Sequence, residues 1–215
     1  FKSISKVEGK YAFSAESPNH PKELYTFTKG DNSPKRVTFH NEWLSSVQLA
    51  KQEVVQYTAS DGLEIDGLLF YPINFKEGTK YPMIIYIHGG PEATNSYGWN
   101  TGYNRWGQSA AAQDYFVFMP NYRAGSGRGY EFTMMGFADA GGREFLDVID
   151  GIDYLANKGF IDKARVGIGG GSYGGYFSAW AASKHTKHFA AAVSFVGIGN
   201  QLVKRNTTDI PWESY

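Results

Sequence analysis

The spacing of apolar and polar positions changes character near residue 50. Before it, short alternating runs at 10–15, 23–28 and 35–39 are separated by the turn clusters Ser17-Pro18-Asn19-His20-Pro21 and Lys29-Gly30-Asp31-Asn32-Ser33-Pro34. A strand roughly every twelve residues predicts an antiparallel meander. Three strands bury too little to stand alone, so this segment is expected to belong to a larger antiparallel unit cut by the start of the chain, such as a propeller blade. Residues 43–50, Trp43 to Ala50, form a connector of amphipathic character.

Beyond the connector, 54–58 and 63–71 flank the Ser60-Asp61-Gly62 turn as a hairpin, and 81–87 is a nearly continuous apolar run of buried-strand type. Helical and strand patterns then alternate: helix 104–113, strand 115–119, helix 143–157, strand 165–169, helix 173–183 and strand 189–196. In helix 143–157, Phe145, Val148, Ile149, Ile152, Leu155 and Ala156 share one face, the spacing of a helix that covers a sheet. The fold class is α/β, with a mostly parallel sheet entered through a hairpin. The division expected is 1–47 for the antiparallel part and connector and 48–215 for the α/β part.

Composition narrows the chemistry. The 215 residues hold 21 Lys+Arg against 21 Asp+Glu, so no net field favours nucleic acid or an anionic membrane. The absence of cysteine removes disulfides, thiolate zinc sites and cysteine nucleophiles, and is compatible with any redox compartment. No apolar run reaches the roughly 18 residues of a membrane span. No signal peptide is visible, and this absence leaves the compartment unassigned, because Phe1 falls inside what reads as a β-rich region and the natural N-terminus need not be among these residues.

The stretch with the most chemistry is Arg165-Val166-Gly167-Ile168-Gly169-Gly170-Gly171-Ser172-Tyr173-Gly174-Gly175-Tyr176. It reads strand, sharp turn, helix, and Gly170, Ser172 and Gly174 match G-x-S-x-G, the nucleophile elbow that holds a strained serine with its hydroxyl exposed. The Tyr173 N–H and the positive end of the helix dipole then lie beside any oxyanion formed on a substrate carbonyl. Gly169, Gly171 and Gly174 also spell the dinucleotide fingerprint G-x-G-x-x-G. That reading needs an acid about 20 residues on, and none lies between Tyr173 and Asp209.

A second turn, His88-Gly89-Gly90-Pro91, ends strand 81–87, where glycine permits the close approach of an oxyanion-hole N–H. Gly90 is the candidate donor, with Gly89 and His88 supporting the loop. His88 as a general base is the competing role, and bracing by hydrogen bonds is preferred. The Asn121-to-Tyr130 loop has three spaced glycines but lacks G-K-[ST] and does not lead straight into a helix, so it reads as a site-flanking loop rather than a phosphate cradle. His20 and His40 read as turn or surface residues, since no third metal ligand accompanies them.

Four ordered motifs carry a resemblance: His88-Gly89-Gly90-Pro91; Asn121-Tyr122-Arg123-x-Gly125-Ser126-Gly127; Glu144-Phe145-x-Asp147-Val148-x-x-Gly151-Ile152-Asp153-Tyr154-Leu155; and Gly170-Gly171-Ser172-Tyr173-Gly174-Gly175-Tyr176. Together they resemble the prolyl oligopeptidase family of serine peptidases, closest to its acylaminoacyl-peptidase and dipeptidyl-peptidase branches, from about residue 50 onward. The resemblance implies an α/β-hydrolase fold, incomplete here, preceded by the last strands of a β-propeller that admits only short peptides. It implies a Ser172 nucleophile, oxyanion donors at Tyr173 and Gly90, a substrate pocket including Val196, and no metal or organic cofactor. The partners implied are a short peptide substrate and the remainder of the same polypeptide; a homo-oligomer is a further option.

In that family the triad Asp and His follow the serine on later loops. Here His185 and His188 are the only later histidines; at 1.5 Å per residue His185 sits about 20 Å down the helix from Ser172. Asp209 has no base to orient. The chain, ending at Tyr215, is therefore expected to carry the nucleophile and oxyanion hole without the acid–base pair, to be inactive alone, and to expose strand 189–196 as an apolar edge. A carboxylesterase on the same fold and a non-catalytic binding or assembly piece are the alternatives.

Overall fold

The computed structural model describes residues 3–102 and 105–210. Two sheets organise them. The first is an antiparallel meander in the order β1 (Ile4–Val7), β2 (Lys10–Ser17), β3 (His20–Thr28) and β4 (Lys35–Arg36). Among the described residues, none of these strands pairs with the second sheet.

The meander is held by one apolar and one polar contact set. Phe13 of β2 is buried and stacks on Tyr25 of β3, ring centroids 5.9 Å apart. Glu23, also buried, accepts from Arg36 Nη2 at 2.9 Å, His40 N at 3.0 Å and the Thr38 hydroxyl. The bonds from Thr38, His40 and Arg36 outweigh burial and hold its carboxyl down to about 2. The expected strand 35–39 is thereby cut short: Thr38 presents its side-chain oxygen, not a carbonyl, to Leu24 N at 2.8 Å.

The second sheet has six strands: β5 (Gln52–Thr58), β6 (Glu64–Phe70), β7 (Tyr81–Ile87), β8 (Phe116–Asn121), β9 (Ile161–Gly171) and β10 (Ala191–Phe195), in the order β10-β9-β7-β8-β6-β5. The β5–β6 hairpin enters antiparallel to β8, and β8, β7, β9 and β10 run parallel. The helices are α1 (Gly107–Ala111), α2 (Tyr130–Met134), α3 (Arg143–Asn157), α4 (Tyr173–Lys184) and α5 (Gln201–Thr207). Asn104, the expected start of the first helix, lies outside the described residues.

Alternation along the strands divides the core between the two faces of the sheet. Met83, Ile85, Ile87, Phe116, Phe118, Val166 and Ile168 pack with Phe145, Val148, Ile152 and Leu155 of α3 and Phe177 of α4. Leu68, Phe70, Tyr86, Val117 and Met119 face Ala110 and Ala111 of α1. The helix face expected on α3 is thus the buried one. Strand β9 begins earlier than expected, at Ile161: Tyr81 N donates to Phe160 O at 2.9 Å and Tyr81 pairs with Ile161, and after an irregularity that takes up residues 162–165 the ladder resumes at Met83 and Val166. Both consecutive glycine turns of interest, after β7 and after β9, end neighbouring parallel strands at the same edge of the sheet.

Candidate active site

Ser172 links β9 to α4 with φ +59° and ψ −117°, outside the regions an L-residue prefers. Such a conformation costs on the order of 1–3 kcal/mol and persists only where the surroundings impose it. The surroundings here are bare backbone. A Cβ on Gly170 would stand 2.2 Å from Ile87 O and 3.0 Å from Gly174 Cα, and one on Gly174 would stand 2.2 Å from Ile87 O. The ends of β7 and β9 and the start of α4 therefore approach backbone to backbone at Gly170, Gly174 and Ile87. The turn is closed by Ser172 N donating to Phe195 O at 3.1 Å and by Tyr176 N donating to Ser172 O at 3.0 Å. Ser172 is exposed, and no hydrogen bond ties its hydroxyl among the described residues.

Tyr173 is the first residue of α4, so its N–H belongs to the helical first turn that has no intrahelical acceptor. Its ring is buried and its hydroxyl donates to Glu144 Oε1 at 2.9 Å. Burial first, then the Glu144 charge, pushes the phenol above its ordinary range, so it stays a donor.

Gly89 meets the elbow directly: a Cβ there would lie 3.2 Å from Ser172 Cβ and 3.8 Å from Oγ. Behind it, the His88 ring is buried and stacked on Tyr122 at 4.3 Å between centroids. Nδ1 lies 2.9 Å from Gly89 O, and a carbonyl only accepts, so Nδ1 carries the proton. In a planar trans peptide the C=O and N–H point opposite ways. With the Gly89 carbonyl directed at the imidazole, the Gly90 N–H points away from that ring. Tyr122 Oη donates to His88 O at 2.9 Å and completes the brace. Burial pulls the His88 imidazole down to about 4, which keeps it neutral, and Nε2 is buried without a partner. Among the described residues it makes no hydrogen bond to Ser172.

Val196 follows the residue that accepts the Ser172 N–H, so the chain brings it to the flank of the elbow, 71 % exposed and with φ +42°. Ser172, Tyr173, Gly89, Gly90, His88 and Val196 thus converge on one edge of the sheet. His185 does not: it caps the far end of the 12-residue α4, about 18 Å along its axis, with its ring tilted against that of Phe145 at 4.6 Å between centroids. His20 and His40 stay in the meander and its exit, bonded to Pro21 O and to Glu23. Among the described residues no group of three potential ligands is placed to hold a metal ion, and no helix is long and apolar enough to cross a membrane.

The Asn121-to-Tyr130 loop is a brace. Arg123 donates from Nε and Nη2 to Asp147 and from Nη1 and Nη2 to Asp61, at 2.6–3.1 Å, which spends its charge internally. The Arg123 bonds hold Asp61 down to about 2, while burial pulls Asp147 upward against the same guanidinium. Glu144 and Asp147, three apart in α3, support the site; both stand in the α3 motif that carries the resemblance, but the motif alone gives them no role. Their signal in the sequence is two acids set among the apolar positions of a buried helix face. A groove of about 660 Å³ lined by Pro82, Ile84, Trp106, Tyr115, Ala191 and Val193 lies toward the opposite strand ends, apart from Ser172.

Comparison with known proteins gives one consistent set of matches. The model of the prolyl oligopeptidase family matches residues 102–215. An uncharacterized peptidase of Bacillus subtilis (strain 168), YuxL, is 32% identical over 209 residues, covering 97% of this chain and 31% of that protein. Dipeptidyl-peptidase 5 of Porphyromonas gingivalis is 30% identical over 196 residues, 89% of this chain and 28% of its own length. A solved acylaminoacyl peptidase, in complex with Z-Gly-Gly-Phe-chloromethyl ketone, superposes with a TM-score of 0.85 at 28% identity, over 99% of this chain and 33% of that one. The chain spans about a third of the length of the relatives it matches. The antiparallel meander followed by a mostly parallel sheet is, with these neighbours, a propeller end followed by part of an α/β-hydrolase fold.

Proposed function

Because the chain belongs to the prolyl oligopeptidase family, we propose that it carries the nucleophile and oxyanion hole of a serine peptidase that cleaves short peptides by acyl transfer. Ser172 Oγ adds to the scissile carbonyl, and the N–H groups of Tyr173 and Gly90 receive the negative charge that forms on its oxygen. Collapse of the tetrahedral adduct expels the amine and leaves an ester on Ser172, which water then hydrolyses. The proton moves through a histidine oriented by an aspartate, and both come from polypeptide outside residues 1–215. No metal or organic cofactor enters these steps. Residues 1–47 form the propeller end and connector and residues 48–215 the catalytic part, with Val196 on the wall that meets the substrate side chain.

The observation that carries this reading is the exposed, positive-φ Ser172 packed against Gly89, a geometry with no packing benefit of its own. Peptide rather than ester as substrate is supported by the named activities of the relatives and by the peptide ketone in the complex of the acylaminoacyl peptidase. The test is turnover of matched peptide-amide and ester substrates by the complete polypeptide and its Ser172→Ala variant. Amide cleavage that disappears in the variant is expected; ester cleavage alone would make it a carboxylesterase, and unchanged turnover in the variant would end the proposal.

A further inference from the structure

The first two turns of α3 send two carboxyl groups into the protein. Asp147 fixes the loop after β8 through Arg123. Glu144, one turn earlier, reaches the nucleophile turn, and its residue is 0 % exposed. Its Oε1 accepts from Tyr173 Oη at 2.9 Å and from Gly141 N at 2.5 Å, while Oε2 is buried without a hydrogen-bond partner. Burial lifts this carboxyl above its ordinary range. A buried carboxyl with one unsatisfied oxygen is an expensive way to fill a position on an apolar helix face. Packing alone gives no reason for it.

What Glu144 holds is the side chain of the residue whose N–H follows the nucleophile. Tyr173 is confined on its flanks by Phe177 at 5.1 Å and Tyr176 at 5.4 Å between ring centroids, and Glu144 pins its far end. Two more donors from the same face of α4, Tyr176 Oη to Ala140 O at 3.1 Å and Trp180 Nε1 to Gly141 O at 3.0 Å, fasten the helix to the same segment. Those lie one and two turns along the helix. Of these three side-chain bonds, the one from Tyr173 acts on the turn that contains Ser172.

We propose, resting on the peptidase reading of Ser172, that Glu144 is a positioning residue: by holding the Tyr173 hydroxyl from a buried site, it fixes the Ser172–Tyr173 peptide so that its N–H stays aimed at the substrate oxyanion. Glu144 touches no substrate and transfers no proton. Its effect reaches the reaction through the direction of one hydrogen-bond donor, which is worth most in the tetrahedral state and little in the ground state.

The experiment uses the complete polypeptide in four forms beside wild type: Glu144→Leu, which removes the acceptor and keeps an apolar volume; Glu144→Gln, which keeps an acceptor; Tyr173→Phe, which removes the donor and keeps the ring; and the Glu144→Leu/Tyr173→Phe double variant. For Glu144→Leu and Tyr173→Phe, kcat should fall about ten- to a hundredfold with KM within about twofold, because a misaimed donor forfeits part of an oxyanion contact. The double variant should be no worse than the worse single one, and Glu144→Gln should stay within about threefold of wild type. The decisive readout is the ratio of affinities for a peptide trifluoromethyl ketone, which forms an oxyanion on Ser172, and for the product peptide, which does not. That ratio should drop by the same factor as kcat. A lower melting temperature with an unchanged ratio in Tyr173→Phe would overturn the proposal, and this variant decides the matter should Glu144→Leu fail to fold. Ser172→Ala runs alongside: turnover surviving in it condemns the peptidase reading itself, whereas a silent Ser172→Ala with unchanged ratios condemns only the role given to Glu144.

Discussion

Adding a single methyl group at Gly174 should disable the elbow while leaving the helix chemistry favourable. Gly174 lies in the first turn of α4, where alanine is preferred over glycine by about 1 kcal/mol. Against that, its Cβ would stand 2.2 Å from Ile87 O, 2.9 Å from Ile87 C and 3.2 Å from His88 O. All three are backbone atoms at the end of the central strand β7, so no side chain can turn aside. Reaching ordinary contact distance requires the start of α4 to retreat by about 1 Å, and overpacking of this kind costs roughly 1–3 kcal/mol. The clash therefore outweighs the propensity gain. The same retreat carries Ser172 and the Tyr173 N–H away from Gly89, and a 1 Å misplacement in a catalytic constellation costs about a hundredfold in rate. Gly174→Ala should accordingly lower kcat/KM by about two orders of magnitude and lower the melting temperature. Gly167→Ala in β9, whose Cβ would meet only Ala191 O at 3.7 Å, should change neither by much. The assay is peptide turnover beside differential scanning calorimetry of the complete polypeptide. Wild-type turnover in Gly174→Ala would show that the elbow is not held by glycine contact, and the account of Ser172 strain would be wrong.

Other consequences follow from the buried ionic groups. Asp147→Ala leaves Arg123 buried beside only Asp61 and should destabilise the α/β part by about 3–5 kcal/mol, measured by urea denaturation; a change under 1 kcal/mol would mean the pair is not a brace. The folded pKa of Glu23 lies at about 2, below its ordinary 4.5, so its contribution is present above pH 4.5 and is lost as pH falls toward 2. Meander-specific tyrosine signals should therefore titrate in that window, and Glu23→Gln should flatten the response. For His88 the folded value of about 4 lies below the ordinary 6.5, so the unfolded chain binds the proton first and stability declines as pH drops from 6.5 to 4. His88→Asn, which cannot titrate there, should lose that limb of the melting-temperature profile; an identical profile in the variant would place the acid sensitivity elsewhere.

The parts of the fold readable from the chain are those where one period dominates. Strand β7 and helix α3 fall on the predicted bounds, 81–87 and 143–157, because an unbroken apolar run and a 3.6-residue apolar face leave no competing register. The elbow is legible for a different reason: Gly170 and Gly174 mark places where backbone touches backbone, and no other residue fits. What stayed hidden depends on contacts distant in sequence. Strand β4 stops early because Thr38 bonds through its side chain to Leu24, and β9 starts early because Tyr81 pairs with Ile161 ahead of residues 162–165. Helices α2 and α5, five and seven residues long, are too short for a period to declare itself. Glu144 and Asp147 belong to a motif legible in the sequence, but their roles show only where the fold brings Tyr173 and Arg123 to them.

Covalent capture decides whether Ser172 is the nucleophile of an acyl-transfer reaction. The complete polypeptide is treated with a peptidyl diphenyl phosphonate, digested, and mapped by tandem mass spectrometry. One phosphonyl adduct should form per chain, on Ser172 within the segment Gly170-Gly171-Ser172-Tyr173-Gly174, and turnover should fall in step with its formation. An adduct on another residue, or full inhibition with Ser172 unmodified, would contradict the account.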